Sequence, residues 1–347
     1  MRFMKSWLLP MLALPLLAAA PSPPLAPSEI VAAAPMKDWI DIPPEDLLIM
    51  DLTADAAGRG RRVVIQLMPA PFSLGWVDNI RTLARAHWWD GLAIVRVQDN
   101  YVVQWGDPAA EDKASAKPLP SGLRQMTDAD YLASGALPQP KGLGPMFVPK
   151  NTAQRWSSFF KGWPIAGERT AQGIRNWPVH CYGMMGVGRN LAPDTGTGAE
   201  LYVVIGHAPR HLDRNIALAG RVVAGIEHLS SLSRGTGPLG FYEKAEERVT
   251  IQFLGLAAEL DEGARPRFQY LSTESASFRR YAEARANRRD AFFQRSGGWH
   301  GYLQYSGAAA SFPLKPACLG PKPSDFGLKI SIHSKRQLDA GFQMSLA

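Results

Sequence analysis

Arg96 and Gln104 are the side chains best placed for chemistry, because both are polar residues within short apolar runs. A guanidinium among β-branched residues is costly to bury unless it is paired, so Arg96 is out of place as simple filler. The two side chains would present a fixed cation and an amide among apolar and aromatic groups. The alternative interpretation is an arginine on an edge strand that points into water.

Two predicted strands hold these residues. They span residues 92–97 and 101–105, and a turn at 98–100 joins them, where Asp and Asn tolerate left-handed backbone. Side chains alternate between the two faces of a strand. One face of the first strand is predicted to carry Ile94, Arg96 and Gln98; in the second strand, one face carries Tyr101, Val103 and Trp105 and the other Val102 and Gln104.

This hairpin resembles the catalytic hairpin of cyclophilin-type peptidyl-prolyl isomerases. The resemblance depends on Arg96, on an aromatic residue five positions later, and on Gln-x-Gly-Asp at 104–107, all following a Trp-Asp-Gly segment. It implies that Arg96 is catalytic and that Gln104 holds the substrate. It also implies that Tyr101, usually Phe in the family, and Val102, usually Met, line the proline pocket.

A second segment, residues 179–222, is also similar to the family. Glu200 stands where the family usually has Gln, and Tyr202 where it has the Phe at the floor of the proline pocket. A length uncertainty of one or two residues leaves Val203 as the alternative to Tyr202. His211 replaces the Trp of cyclosporin-sensitive members. The resemblance implies that the substrate-binding residues of this segment are Val187, Glu200, Tyr202, His211, Leu212 and Ile216.

The order of predicted elements indicates an antiparallel α+β fold. The elements are strands at 47–52 and 62–67, a helix at 74–88 capped by Ser73, a second helix at 223–232 and a last strand at 248–254. The resemblance implies a mainly β, cyclophilin-like domain over 36–255. Its core would be a closed antiparallel eight-stranded β-barrel capped by two helices.

An insertion at 108–178 interrupts this pattern and is rich in Pro, Gly and Lys. We expect a short helix at 128–132 within it. A loop of this length is functional, disordered or a small substructure. Its aromatic residues would either pack over the substrate groove or, as we favour, cover the barrel surface. These aromatics are Trp156, Phe159, Phe160 and Trp163.

The C-terminal extension, residues 256–347, contains a predicted basic helix at 273–293, capped by Thr273 or Ser275. Five arginines (Arg279, Arg280, Arg285, Arg288 and Arg289) would give it a solvated basic face or, alternatively, a grip on an anionic partner. The tail over 308–347 lacks periodicity, and we expect it to be poorly ordered.

The N-terminal residues 1–20 resemble a secretory signal, with a basic start, an apolar run and three alanines before residue 21. A Pro/Ala-rich segment to residue 34 is predicted to be a flexible leader. We therefore expect a periplasmic or secreted protein with no stable membrane insertion after signal cleavage. In that compartment Cys181 and Cys318 would pair, or Cys181 would be a buried thiol and Cys318 an exposed one.

Several function classes find little support. The net charge of +7 on 347 residues is more typical of solubility than of nucleic-acid binding, which we do not expect. His207 and His211 are four residues apart, but Pro209 prevents a helical metal site, so we expect no metal. There is no Gly-x-Ser-x-Gly hydrolase elbow and no phosphate loop, and prolyl isomerisation needs no cofactor.

The predicted activity is therefore cofactor-independent peptidyl-prolyl cis-trans isomerisation of proline-containing polypeptide clients. One alternative is a non-catalytic module on the same scaffold that binds proline-rich segments or acts as a chaperone, because the usual Phe, Met and Gln of the pocket are replaced and Ile216 stands where many relatives have His. A second alternative is an envelope-binding or assembly protein that works through the basic C-terminal helix. The sequence leaves the oligomeric state open.

Overall fold

A computed structural model of the chain describes residues 24–138, 155–290, 292–294 and 314–316. The predicted signal segment, Cys318 and all but three residues of the predicted C-terminal tail lie outside this part. Numbered along the chain, the strands are β1 Trp39–Asp41, β2 Leu47–Leu52, β3 Arg61–Leu67, β4 Ala93–Val97, β5 Val102–Gly106, β6 Ala133–Ser134, β7 Arg155–Phe160, β8 Trp163–Thr170, β9 Gly173–Pro178, β10 Met184–Val187, β11 Leu201–Val204, β12 Leu218–Ala224, β13 Val249–Leu256, β14 Phe268–Leu271 and β15 Leu314–Pro316. The helices are α1 Pro27–Ala32, α2 Leu74–Arg85, α3 Glu227–Ser230 and α4 Ala276–Ala286.

Eight of the strands form a closed antiparallel barrel in the order β10-β11-β5-β4-β13-β2-β3-β12. Apolar side chains of each strand alternate into its interior, as Val103 and Trp105 on β5 and Val203 on β11 do. Helix α2 packs its apolar face, including Trp76 and Ile80, onto this core. The predicted mainly β, eight-stranded barrel is confirmed.

The predicted faces of the first hairpin are partly wrong. A β-bulge lies between Ile94 and Arg96, so these two residues do not share a face. Ile94 is buried in the barrel core, whereas Arg96 lies on the outside, opposite Gln104. An extra residue in one strand of a ladder reverses the alternation beyond it, which periodicity alone does not reveal. Similarly, Tyr101 precedes β5 and joins the outer face rather than the face of Val103.

The predicted helix at 223–232 is wrong in its first half. Strand β12 continues to Ala224, which pairs with Val64 of β3, and only Glu227–Ser230 is helical. The β-branched pair before Ala224 favours the strand, and Gly225 ends it with a positive φ of 80°. Ser73 precedes α2 as predicted, but its side chain makes no capping hydrogen bond.

The described part of the insertion is a small substructure of its own. It forms a four-stranded antiparallel sheet in the order β6-β9-β8-β7, preceded by a short 3₁₀-helix at Asp128–Tyr131. Phe160, Trp163 and Trp177 extend from this sheet into the barrel core cluster. The expectation that its aromatics cover the barrel is therefore confirmed for Phe160 and Trp163, whereas Phe159 belongs to a second cluster described below.

The chain termini of the described part pack together. Helix α4 begins at the predicted cap, where the Ser275 hydroxyl accepts from the Phe278 N–H at 3.0 Å, and it ends earlier than predicted, at Ala286. Phe278 contacts Ile30 of α1 and Phe159 of β7 in a second apolar cluster. The prediction of a flexible leader is thus wrong for Pro27–Ala32. No helix in the described ranges is long and apolar enough to cross a membrane.

Candidate active site

A row of side chains crosses four neighbouring strands on the outside of the barrel. Arg96 of β4 lies opposite Gln104 of β5, Gln104 opposite Tyr202 of β11, and Tyr202 opposite Gly186 of β10. A Cβ at Gly186 would lie 2.3 Å from the Tyr202 ring, so the missing side chain makes room for the tyrosine. The antiparallel register therefore brings the predicted catalytic pair and the predicted pocket floor together.

Hydrogen bonds fix the Arg96 guanidinium in place. Its Nε donates to the Leu239 carbonyl oxygen at 2.8 Å, its Nη1 donates to Gln104 Oε1 at 2.9 Å, and its Nη2 donates to Gln98 Oε1. Arginine has five N–H groups. Within the described ranges, two of the five on Arg96 have no hydrogen-bond acceptor. These two donors belong to a half-buried side chain at the protein surface.

Two aromatic rings flank the same guanidinium. Its Cζ atom lies 5.7 Å from the Tyr101 ring centroid and 5.3 Å from that of Phe241. Phe241 follows the short 3₁₀-helix Pro238–Gly240 and bridges to Arg96 through the backbone. Burial lowers the pKa of Arg96, although Tyr101 and Glu200 oppose that shift. The group remains a cation at neutral pH because arginine does not deprotonate there.

Gln104 connects Arg96 to a carboxylate. Its Oε1 accepts from Arg96 while its Nε2 donates to Glu200 Oε1, so the amide orientation is fixed by both neighbours. Burial raises the pKa of Glu200, and the Gln104 hydrogen bond and the Arg96 charge oppose that shift. The resulting hydrogen-bonded network runs from the Arg96 cation through the Gln104 amide to the Glu200 carboxyl group.

An apolar cluster lies beside this network, separate from the barrel core. Its buried members are Val102, Tyr202 and Val204, and the half-buried Tyr101 and Ile216 pack against them. Tyr202, and not its alternative Val203, faces this cluster, since Val203 lies in the barrel interior. A ring-sized apolar group bound here would lie next to the Arg96 donors.

A buried histidine, His180, holds the Tyr202 hydroxyl in place by a hydrogen bond. The hydroxyl lies 2.8 Å from His180 Nε2, and His180 Nδ1 lies 2.9 Å from Asp213 Oδ1. A carboxylate accepts, so Nδ1 holds the proton and Nε2 accepts from the tyrosine O–H. Burial lowers the pKa of His180 against the opposing effect of Asp213, and burial raises the pKa of Tyr202. Both are neutral at pH 7.

The remaining predicted substrate-binding residues have different positions. The His211 ring stacks on Tyr101 with centroids 6.4 Å apart. Leu212 is half-buried on the same short 3₁₀-helix, Arg210–Leu212, and its carbonyl accepts from the Ile216 N–H. The prediction for Val187 is wrong, because this side chain is fully buried in the barrel core. Strand alternation presents its neighbour Gly186 to the pocket instead.

No cluster of three or more His, Cys, Asp or Glu side chains in the described ranges is arranged to hold a metal ion. Cys181 is buried next to the site, and burial raises the pKa of its thiol to about 12. A thiol with so high a pKa is a poor nucleophile. Arg96 and Gln104 provide hydrogen-bond donors beside the apolar cluster.

Comparison with known families identifies the family and the fold. The profile of the family "Cyclophilin type peptidyl-prolyl cis-trans isomerase/CLD" matches residues 50–255. The chain is a member of the cyclophilin-type isomerase family. A crystal structure of cyclophilin AquaCyp293 from Hirschia baltica is similar in fold, with a TM-score of 0.57 at 20% identity, covering 80% of this chain and 93% of that one.

A cyclophilin-type peptidyl-prolyl cis-trans isomerase of Cryptosporidium parvum is more distantly similar. Its TM-score is 0.36 at 10% identity, covering 61% of this chain and 96% of that one. No curated protein matches the chain.

Besides Phe241, which flanks Arg96, four residues around the site were not predicted from the sequence. They are Gln98 and Leu239, which bind Arg96, and His180 and Asp213, which support Tyr202. Gln98 was placed on the face of Arg96 but was given no role. Nothing in the sequence links Leu239 to Arg96, because 143 residues separate them. The sequence does show a histidine just before the glycine-rich segment 183–188, and this signal could have suggested His180.

Proposed function

We propose that this cyclophilin catalyses cis-trans isomerisation of X-Pro bonds in polypeptide clients, with Arg96 as the catalytic residue. The observation that best supports the proposal is the Arg96 guanidinium, which is fixed by three acceptors, has two N–H groups without an acceptor among the described residues, and lies 5.7 Å from Tyr101 of the apolar cluster. The reaction requires neither a nucleophile nor a cofactor.

The mechanism follows from the electronic structure of the amide. Rotation of a peptide bond breaks its resonance, which sets a barrier of about 18–20 kcal/mol. As the bond twists, the prolyl nitrogen recovers a lone pair that the planar ground state does not offer. A guanidinium N–H donating to this lone pair stabilises the transition state more than the ground state, and such a difference is what accelerates a reaction.

The other residues hold the substrate for this step. Tyr202, Val102 and Ile216 would contact the proline ring, and Tyr101 would close the pocket on the side of His211. Gln104 would orient the substrate backbone while it keeps Arg96 in place. Because Arg96 is bound before the substrate arrives, it needs little reorganisation at the moment of twisting.

The clients are proposed to be exported proteins, and the location periplasmic or secreted. Support comes from the basic start and apolar run of residues 1–20. Uncatalysed prolyl isomerisation takes tens of seconds at 25 °C, which is slow enough to limit the folding of proteins after export.

An isomerisation assay on an Ala-Pro peptide tests the proposal, comparing the wild type with Arg96→Ala. We expect kcat/KM to fall by about two to three orders of magnitude, which is the effect of losing one preorganised donor to a developing lone pair. Peptide binding should largely persist, because the apolar cluster is unchanged. Wild-type binding without acceleration would favour the non-catalytic module, for which the carboxylate of Glu200 near Arg96 is a supporting observation.

A further inference from the structure

A groove of about 400 Å³ separates the insertion sheet from the segment around His211. Trp156 of β7 and Trp177 of β9 line it on the side of the insertion. Arg210, His211 and Arg214 line it on the side of the barrel. The groove therefore exists because the insertion folds as a sheet beside the barrel.

His211 lies between this groove and the proposed isomerase site. The His211 ring lines the groove and also stacks on Tyr101 at 6.4 Å, and Tyr101 in turn flanks Arg96 at 5.7 Å. An extended peptide advances ~3.3 Å per residue. A client whose proline lies beside Arg96 would reach the groove within about four residues.

The charges of the groove favour an acidic occupant. Arg155 and Arg214 both contact Glu168, at 3.3 and 3.5 Å, so two cations share one carboxylate. Their side chains are 62% and 40% exposed, whereas that of Glu168 is 12% exposed. Asp213 is likewise buried beneath Arg210. The Arg155 and Arg214 side chains therefore face solvent above the buried Glu168, whereas the Arg210 side chain is only 18% exposed.

Aromatic side chains pack against this cationic surface. The Arg214 guanidinium lies 4.9 Å from the Trp177 ring centroid. The Trp156 ring lies on Gly167, where a Cβ would approach it to 2.5 Å. A flat, partly apolar floor with exposed guanidinium groups suits a carboxylate side chain on an extended backbone, because arginine binds carboxylates in a bidentate manner.

We propose that the groove is a second client subsite, which binds an acidic residue of the polypeptide two to four positions from the isomerised proline. The proposal rests on the proposed function, since it assumes that the proline lies beside Arg96. It defines the substrate class as proline-containing segments with a nearby Asp or Glu.

Peptides with a central Ala-Pro test this proposal. A single Glu is moved from four positions before the proline to four positions after it, and each peptide has a matched Gln partner. Binding is measured by calorimetry, and turnover by exchange between the cis and trans NMR signals. We expect Glu to be preferred over Gln about three- to fivefold on one side of the proline, and the preference to weaken as salt rises.

The preference should disappear in Arg155→Gln and Arg214→Gln, tested singly. Arg169→Gln is the matched control, because it removes the same charge from an exposed position of β8 outside the groove. It should leave the preference intact. Turnover of a short Ala-Pro peptide, which does not reach the groove, should be unchanged in all three variants and verifies that they fold.

The outcomes separate the two proposals. Turnover of the short peptide without any Glu preference would overturn the groove proposal and leave the isomerase proposal standing. A preference that Arg169→Gln abolishes equally would also overturn it, because a diffuse positive field would then explain the result. A Glu preference in binding without turnover would overturn the isomerase proposal and support the groove as a peptide-binding site.

Discussion

Arg96 and Arg221 have the same kinds of partners on two strands of one barrel. Arg96 binds the Gln104 amide, the Leu239 carbonyl and the Tyr101 and Phe241 rings. Arg221 donates to the Gln66 amide oxygen at 2.7 and 3.0 Å and to the Gly162 carbonyl at 2.6 Å, with its Cζ 4.3 Å from the Trp163 ring centroid.

Exposure distinguishes the two arginines. Arg221 is 4% exposed, and burial lowers its pKa to about 9, whereas Arg96 is half-buried beside the apolar cluster. Gly162 belongs to the turn between β7 and β8, so Arg221 ties the insertion to the barrel. A bound guanidinium is therefore not by itself a catalytic one, and under the proposed function Arg96 differs from Arg221 because a substrate can reach it.

The largest effect expected to distinguish the two arginines is a loss of stability when Arg221 is replaced. Arg221→Ala should lower the free energy of unfolding by about 3 kcal/mol, because it leaves Gln66 and the Gly162 carbonyl buried without this donor and opens a cavity beside Trp163. Urea unfolding measures the loss. Activity per folded molecule should stay within about twofold of the wild type, the opposite of the result expected for Arg96→Ala.

Equal losses of activity per folded molecule in the two variants would contradict the distinction. Arg221→Met keeps most of the volume and should be less damaging than Arg221→Ala. Arg169→Ala, an exposed arginine of the insertion sheet, serves as the control and should change stability by less than about 0.5 kcal/mol.

A smaller effect is expected at the floor of the pocket. Tyr202→Phe removes the donor to His180 Nε2 and leaves that buried atom unpaired, which should cost about 1–2 kcal/mol of unfolding free energy. The ring itself remains, so kcat/KM should fall only a fewfold. Tyr101→Phe is the matched control, because Tyr101 is a half-buried tyrosine of the same cluster. Equal unfolding free energies for the two variants would mean that the hydrogen bond to His180 does not stabilise the fold.

The smallest effect concerns Glu200. An ionised carboxylate offsets the positive field of Arg96, so Glu200→Gln should raise kcat/KM about two- to fivefold at neutral pH. Because burial raises the pKa of Glu200, wild-type activity should increase as the pH falls through a midpoint above the ordinary 4.5, and the variant should lack this change.

The raised pKa of Glu200 also predicts the direction in which stability changes with pH. A raised pKa in the folded state means that the native protein binds more protons than the unfolded chain over that range. The stability contribution is present at low pH and is lost as the pH rises through the folded-state pKa. Glu200→Gln should therefore unfold at higher urea than the wild type at pH 7 and approach it at low pH. Identical pH profiles would contradict this account.

The two arginines also indicate what sequence can predict. Arg96 was identified because its spacing to Tyr101 and Gln104 forms a local motif within one hairpin. Arg221 stands in a similar apolar strand, but its partners lie 155 and 59 residues away, and no local pattern points to them. A motif within one hairpin can be recognised from sequence even where its faces are predicted wrongly, whereas partners brought together by tertiary packing cannot.

The errors have the same physical origin. The faces predicted beyond Ile94 and the side predicted for Val187 are each wrong by one residue in register. A one-residue shift moves every side chain of a strand to the opposite face. The insertion sheet was missed because Pro164 and Gly167 break the alternation that identifies a strand, while pairing with β7 and β9 still forms β8. The resemblance of the two motif segments to the cyclophilin family does not depend on these details, which is why the barrel was predicted correctly.

Exchange NMR on an Ala-Pro peptide with a substoichiometric amount of the protein tests the central claim most directly. It reports binding and turnover in one sample, through shifts of the peptide signals and cross-peaks between the cis and trans forms. The account predicts cross-peaks with the wild type that Arg96→Ala abolishes while the binding shifts persist. Binding shifts without cross-peaks for the wild type, or cross-peaks that survive Arg96→Ala at full strength, would contradict it.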